Sequence, residues 1–457
     1  MKIQSKVLLF MLVFVGVLHL IGAQDNSDWI EYESNPVFDP DHKAYYPSII
    51  YDSNKFSGNG DSYFYKMWYA TSTGIRLAYS DDGINWTEYG TSDLGILTNA
   101  NHSFVVYDEN GFGGTSVKYK IWYWDTGVSI YGINAIRYAE SQDGINWTND
   151  QAITQISSTV VDNSNSSNWN RGTYGPGQVM YNPSGSSTLD DTNIMNNRYI
   201  MYYDATTGAF ESIGLAYSTD GKLWKGYGEV LPRGNTGPWG NTDTWDSSYT
   251  YRATVIQFQG VYHMWYSGAN GTNSDFYAHG IGHATSQDGL NWVRDEDNPL
   301  FHRDDGILWR DKRTYTPLVI YDENGFASPD GCNFKMWFTG KSDSNYAIGY
   351  ATLCISQRGR RGPRYTYLYS LRPPAYSTIN DCSIVNKERA EQLLIEAKER
   401  GLDTSECEEM IREADRILED ALGFFNSGNF VSANNLGRIS CELYKEAIEC
   451  LEELLSY

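Results

Sequence analysis

Ile75-Arg76-Leu77-Ala78-Tyr79-Ser80-Asp81-Asp82-Gly83-Ile84-Asn85-Trp86 reads as a small-residue strand running into a Ser-X-Asp-Gly-X-X-Trp turn. The same turn returns at Ser141 to Trp147, Ser218 to Trp224 and Ser286 to Trp292. Asp-Gly between strands is a hairpin signal, because glycine takes positive φ without steric cost. A unit that recurs this regularly makes the chain a repeat architecture.

Working outward, two further strands precede each turn. The first is an apolar run: Pro47 to Tyr51, Phe104 to Tyr107, Val179 to Tyr181, Thr254 to Ile256 and Leu318 to Tyr321. The second is aromatic: Lys66 to Tyr69, Lys120 to Tyr123, Ile200 to Tyr203, His263 to Tyr266 and Lys335 to Phe338. β-Branched and aromatic residues suit a packed, pleated surface. The third strands open on Ile75, Ile136, Ile213, Ile281 and Ile348. The fifth unit has no Asp-Gly-X-X-Trp after Ile348. Residues 28–38 supply a matching tail instead: Trp29 to Phe38, ending Asn35-Pro36-Val37-Phe38, parallels Trp292 to Phe301, ending Asn298-Pro299-Leu300-Phe301. The expectation is an all-β five-bladed β-propeller over residues 24–355, with the N-terminal strand completing the last blade and hiding its edge.

Lys2 and Lys6 precede an apolar run from Val7 to Ile21 and then Gly22-Ala23, the layout of a secretory signal peptide over residues 1–23. The run is short for a membrane span, and no other long apolar segment follows. A secreted or cell-surface protein with no membrane span in the mature chain is expected. The 457 residues carry a formal charge of −22. That balance argues against nucleic acid as a partner, which needs a basic face.

Composition changes near Gln357. Residues 356–384 read as a linker and 385–457 as a three-helix module, with apolar faces through Leu393, Ala397, Ile411, Ala414, Leu418, Leu443 and Ala447. Asn426 to Asn429 breaks the second helix from the third and folds them back as a hairpin. Cys407 and Cys450 sit equally far from that turn, so they are expected as a disulfide. Cys332, Cys354, Cys382 and Cys441 are left unpaired by this reasoning. The module could pack on the β region or attach it to a protein partner. The cysteine spacing fits no metal pattern, and neither metal nor cofactor is expected.

The five-fold unit, with its Met-Trp-Tyr strand and Ser-X-Asp-Gly-X-X-Trp hairpin, resembles the five-bladed glycoside hydrolases of the invertase/levanase and arabinanase/xylosidase type. The resemblance covers residue 28 to about residue 355. It implies a sugar site at the mouth of the central channel, with carboxylates flanking the scissile bond. The family's own carboxylate positions fall here on Tyr46, near Phe104 and on Tyr174, so the usual acids are absent. Aligned inner strands open on Tyr45-Tyr46, Asn101-His102, Tyr174-Gly175, Tyr251-Arg252 and Tyr315-Thr316. Tyr46, His102, Trp124, Tyr174, Tyr251, Arg252 and Tyr315 are therefore the candidate sugar-binding residues, since rings stack on sugar faces and charged groups bond hydroxyls. Tyrosine and tryptophan can equally fill a narrow channel. Asp204 is the first catalytic candidate, because it ends an aromatic strand where other units have Ala70, Trp124, Ser267 and Thr339. Asp41, Asp246 or Glu211 would be its partner. Three functions stay open: a glycan-binding protein, a glycoside hydrolase with recruited carboxylates, and a structural surface scaffold.

Overall fold

The computed structural model describes residues 29–354 and 385–455, apart from 57–61, 91–95, 235–244, 271–279, 296, 328–330, 344 and 427–429. The leader and the linker expected from sequence lie outside the described residues.

The chain is mostly β. Tyr45–Tyr51, Tyr65–Ala70 and Gly74–Ser80 form an antiparallel meander, with Thr87–Glu88 on its outer side. Ala100–Tyr107, Tyr119–Asp125, Ile136–Ser141 and Thr148–Ala152 repeat it. The third unit (Gly172–Tyr181, Tyr199–Thr206, Glu211–Ser218, Leu223–Leu231) and the fourth (Tyr249–Phe258, Val261–Ala269, Gly280–Ser286, Val293–Arg294) are joined by a parallel pairing of Glu211 with Tyr249. They therefore count as one ten-stranded sheet. In the fifth unit Arg313–Tyr321, Phe334–Lys341 and Tyr346–Leu353 pair in turn, and Ile30–Glu31 is the outer strand, with Ile30 opposite Thr352.

The second strands are the core of each unit; every residue from Tyr65 to Ala70 is buried. Their indoles join one unit to the next. Trp68 Nε1 donates to the Gly144 carbonyl at 2.9 Å, Trp122 to Gly221 at 2.8 Å, and Trp337 to Gly83 at 2.7 Å. Tyr202 does the same through its hydroxyl to Gly289 at 2.8 Å. The acceptors are the glycines of the repeated turn. Gly83 has φ +80°, and a Cβ there would sit 2.8 Å from the Trp337 ring, so only glycine permits the contact. Trp265 is the exception. Its next unit lacks the turn, its Nε1 finds no partner among the described residues, and Trp29 packs edge-on against its ring at 5.8 Å instead.

Each turn is held by its aspartate. Asp143 Oδ1 accepts the Ile145 and Asn146 amides at 2.8 Å each, and Ser141 Oγ receives the Gly144 amide at 2.9 Å. Burial pushes the Asp143 carboxyl up, but the hydrogen bonds from Asn146, Ile145 and Ser141 outweigh it and hold it below the usual carboxylate value. Asp82, Asp220 and Asp288 are lowered in the same way.

The helices Val385–Glu399, Ser405–Asn426 and Phe430–Leu455 share a core of Ala390, Leu393, Ile411, Leu418, Tyr444 and Leu451. A disulfide joins Cys407, near the start of the second helix, to Cys450, near the end of the third, with Cα atoms 5.8 Å apart. A second disulfide links Cys332 to Cys354. Among the described residues no helix is long and apolar enough to cross a membrane.

Candidate functional site

All five inner strands carry the same irregularity. Tyr46, His102, Gly175, Arg252 and Thr316 have left-handed φ values of 55°, 48°, 107°, 54° and 52°. The strand register slips beside each of them. A bulge of this kind re-aims side chains that simple alternation would send to opposite faces. Tyr45 and Tyr46, or Asn101 and His102, consequently face one cavity as adjacent residues. Left-handed backbone in four residues with a side chain costs on the order of 1 kcal/mol or more each, and such strain gathers at functional sites.

The bulged amides are all satisfied. Tyr46 N donates to Thr339 Oγ1 at 3.1 Å, Thr316 N to Ser267 Oγ at 2.8 Å, and Arg252 N to Asp204 Oδ1 at 2.8 Å. His102 and Gly175 use Asn101 Oδ1 and Thr173 Oγ1. Asp204 thus performs with one oxygen the task that Ser267 and Thr339 perform with a hydroxyl. What sets it apart is the second oxygen.

The cavity has a volume of about 520 Å³, within the usual range for a small-ligand site. Aromatic walls come from Tyr45, Tyr46, Trp124, Tyr174, Tyr249, Tyr251, Tyr315 and Tyr346. His102 is wedged between Tyr46, with centroids 3.9 Å apart, and Trp124, at 5.1 Å. Its Nδ1 lies 2.7 Å from the Tyr174 carbonyl, which can only accept, so that nitrogen carries the proton. Lys43 and Arg313 stand among the walls. Tyr46 and Arg252 close the bottom, above a space of only about 20 Å³ bounded by Pro47, Phe104 and Gly177.

Among the described residues two carboxyls line the cavity, Asp204 and Glu211. Asp204 faces Ile213 across the strand pair and Glu211 is two residues before Ile213, so the two acids are diagonal neighbours on one face. Such neighbours lie roughly 7 Å apart at Cβ. Asp204 is 1% exposed. Its Oδ2 is 2.9 Å from Arg252 Nε, out of line for a hydrogen bond. Arg252 also donates to the Tyr174 carbonyl at 2.9 Å and to that of Pro176, and lies over the Tyr46 ring. Burial raises Asp204 to about 7 against the hydrogen bond from the Arg252 amide and lowers Arg252 to about 9 against the influence of Tyr46 and Tyr315, whereas the contact of the two side chains favours the charged pair. The contact decides, because a guanidinium holds its proton and two opposite charges at 2.9 Å attract strongly in a dry site. Glu211 has no ion-pair partner among the described residues. Burial first and the Asp204 charge second push its carboxyl well above the usual value.

Of the residues expected from sequence, Tyr46, His102, Trp124, Tyr174, Tyr251, Tyr315, Asp204 and Glu211 line this one cavity. Arg252 lies beneath it. Asp41 and Asp246 require correction as catalytic partners. Asp41 is exposed and off the cavity. Asp246 is buried elsewhere, 2.8 Å from Arg294 Nε and 3.1 Å from the Tyr266 hydroxyl. Sequence reasoning did not put Lys43, Tyr249 and Arg313 at the site. Tyr249 and Arg313 are two residues ahead of Tyr251 and Tyr315, and Lys43 is two ahead of Tyr45, the neighbour of Tyr46; alternation along an extended strand was the available signal. Tyr346 lies two residues before the isoleucine that opens its third strand, as Glu211 does.

No protein-family model matches the chain, and no curated protein does. Solved structures are similar at low identity. A thermostable family-43 glycoside hydrolase matches at 16% identity over 72% of this chain and 97% of that one, with a TM-score of 0.45. An endo-1,4-beta-xylanase from Bacteroides thetaiotaomicron matches at 16% identity over 72% and 96%, with a TM-score of 0.45. An N-acetylgalactosamine deacetylase from F. plautii, in complex with blood group B trisaccharide, matches at 17% identity over 71% and 93%, with a TM-score of 0.44.

Proposed function

We propose that this chain is a secreted carbohydrate-binding protein whose β region is a five-bladed propeller closed by its N-terminal strand, with the saccharide held in the tyrosine-lined cavity. The observation that carries the reading is that one cavity gathers eight tyrosine or tryptophan rings around two carboxyls. Ring faces suit the apolar side of a sugar, and carboxyls suit its hydroxyls. The closed ring is supported by the pairing of Ile30 with Thr352 and by the Trp337 bond to Gly83. Residues 24–355 would form the propeller and 385–457 a helical module for attachment to a protein partner.

A second reading, glycoside hydrolysis, is favoured by the opposite surroundings of the two acids. Hydrolysis needs one protonated and one ionised carboxyl. Glu211, raised by burial, would donate the proton to the leaving oxygen, and Asp204, beside Arg252, would be the ionised partner. The test is a panel of neutral and acidic oligosaccharides, with binding read on an array and products by mass spectrometry. Retention of a saccharide that is lost in Tyr174→Ala supports the binding reading. Product release that Glu211→Gln abolishes adds hydrolysis. Absence of retention across the panel refutes the proposal.

A further inference from the structure

A second groove of about 1160 Å³ meets the cavity at Gly208, which lines both. It is lined by Tyr131, Trp169 and Phe210 and by three arginines, Arg171, Arg233 and Arg294. Arginines converging on one groove are unexpected in a chain of charge −22. Arg294 is spoken for, with Asp246 at 2.8 Å. Arg171 and Arg233 are held differently. The Arg171 guanidinium lies 4.3 Å from the Tyr131 ring centre, and the Arg233 guanidinium 3.8 Å from that of Phe210. Their hydrogen bonds go to backbone carbonyls, Thr207 at 3.5 Å and Ser247 at 3.4 Å. No carboxylate forms an ion pair with either among the described residues. Glu229 is the one acid on the groove wall among the described residues. Each guanidinium is therefore positioned by a ring with no ion-pair partner among the described residues, and such a fork matches a carboxylate or sulfate in two parallel bonds.

We infer that this groove is a subsite for an anionic saccharide unit, carboxylated or sulfated, continuous with the cavity through Gly208. The inference rests on the reading of the cavity as a saccharide site and adds the charge of the ligand. Phe210, 38% exposed, and Trp169 offer ring faces for the sugar, while Arg171 and Arg233 receive its anionic group.

The experiment measures binding of three trisaccharides to the full chain by calorimetry. They are a triuronate, its methyl ester with no charge, and a sulfated neutral trisaccharide. The expected result is roughly tenfold tighter binding of an anionic probe than of the ester. The tighter of the two anions names the source of the charge. In Arg171→Gln/Arg233→Gln that advantage disappears. Arg171→Lys/Arg233→Lys keeps the charge and serves if the first variant folds poorly; partial loss is expected there. Equal binding of charged and neutral probes overturns the anionic subsite and leaves the cavity reading standing. An advantage undiminished in both arginine variants overturns the assignment to these residues. Failure of all three probes to bind removes both readings.

Discussion

The aspartates of the repeated turns and the two acids of the cavity are all carboxyls of the β region, yet their surroundings are opposite. Asp82, Asp143, Asp220 and Asp288 spend their oxygens on amides of their own turn and sit below the ordinary carboxylate value. Glu211 makes no hydrogen bond or ion pair through its carboxyl among the described residues and sits well above. Asp204 stands between, one oxygen on the Arg252 amide and the other beside the Arg252 guanidinium. A carboxyl whose lone pairs are filled by the backbone is part of the fold. One left open in a cavity is free for a ligand.

The largest effect should come from Asp204. Asp204→Ala leaves Arg252 charged and buried, at a cost of about 3–5 kcal/mol in urea unfolding. Ser267→Ala, at the matching register, removes only a hydroxyl acceptor and should cost about 1 kcal/mol. Equal costs would reduce Asp204 to an ordinary acceptor of the repeat and dissolve its place in the comparison.

Asp143→Ala comes next. It strips the acceptor from two turn amides and should cost about 1–3 kcal/mol while saccharide binding is unchanged. Lost binding in a variant that is still folded would place a turn aspartate in the site.

The pH profiles then separate the two sets by sign. Asp143 is lowered in the folded chain, so its contribution is present above the ordinary value of 3.8 and disappears as pH falls through the folded one. Glu211 is raised, so its contribution is present below 4.5 and disappears as pH rises through its folded value. Against wild type, Asp143→Ala should flatten the decline of stability below pH 3.8, and Glu211→Gln the decline above pH 4.5. Effects on the same limb would contradict the contrast.

The smallest effect compares indoles in the same terms of filled and unfilled groups. Trp337→Phe removes a bond to Gly83 and should cost about 1 kcal/mol more than Trp265→Phe, whose Nε1 donates to nothing described. Unfolding midpoints of the two variants measure the difference.

Much of this was legible in the chain. The Ser-X-Asp-Gly-X-X-Trp turn announces the repeat, because each of its residues has a local task, and local tasks leave local patterns. The missing fifth copy and the Trp29 segment could be matched for the same reason. The site was legible only as far as the repeat could be aligned. Tyr174, Tyr251 and Tyr315 fall in register and face one cavity. Asp41 and Asp246 were misplaced because loops follow no register. Asp246 is taken up by Arg294, a long-range pairing that leaves no trace in spacing. The left-handed bulge was hidden as well. Four different side chains and one glycine occupy it, and what they share is a backbone angle rather than a residue type.

The outer strand of the fifth unit has a kinetic consequence. Ile30 meets Thr352 only after almost the whole β region lies between them. Loop closure across that separation is slow, and the earlier units can form from neighbours alone. Until the two ends meet, Tyr346–Leu353 presents an unpaired edge, the kind of edge on which chains exchange strands or aggregate. The last step of assembly is thus the one that depends most on dilution, and a chain shortened at Ile30 would be arrested there.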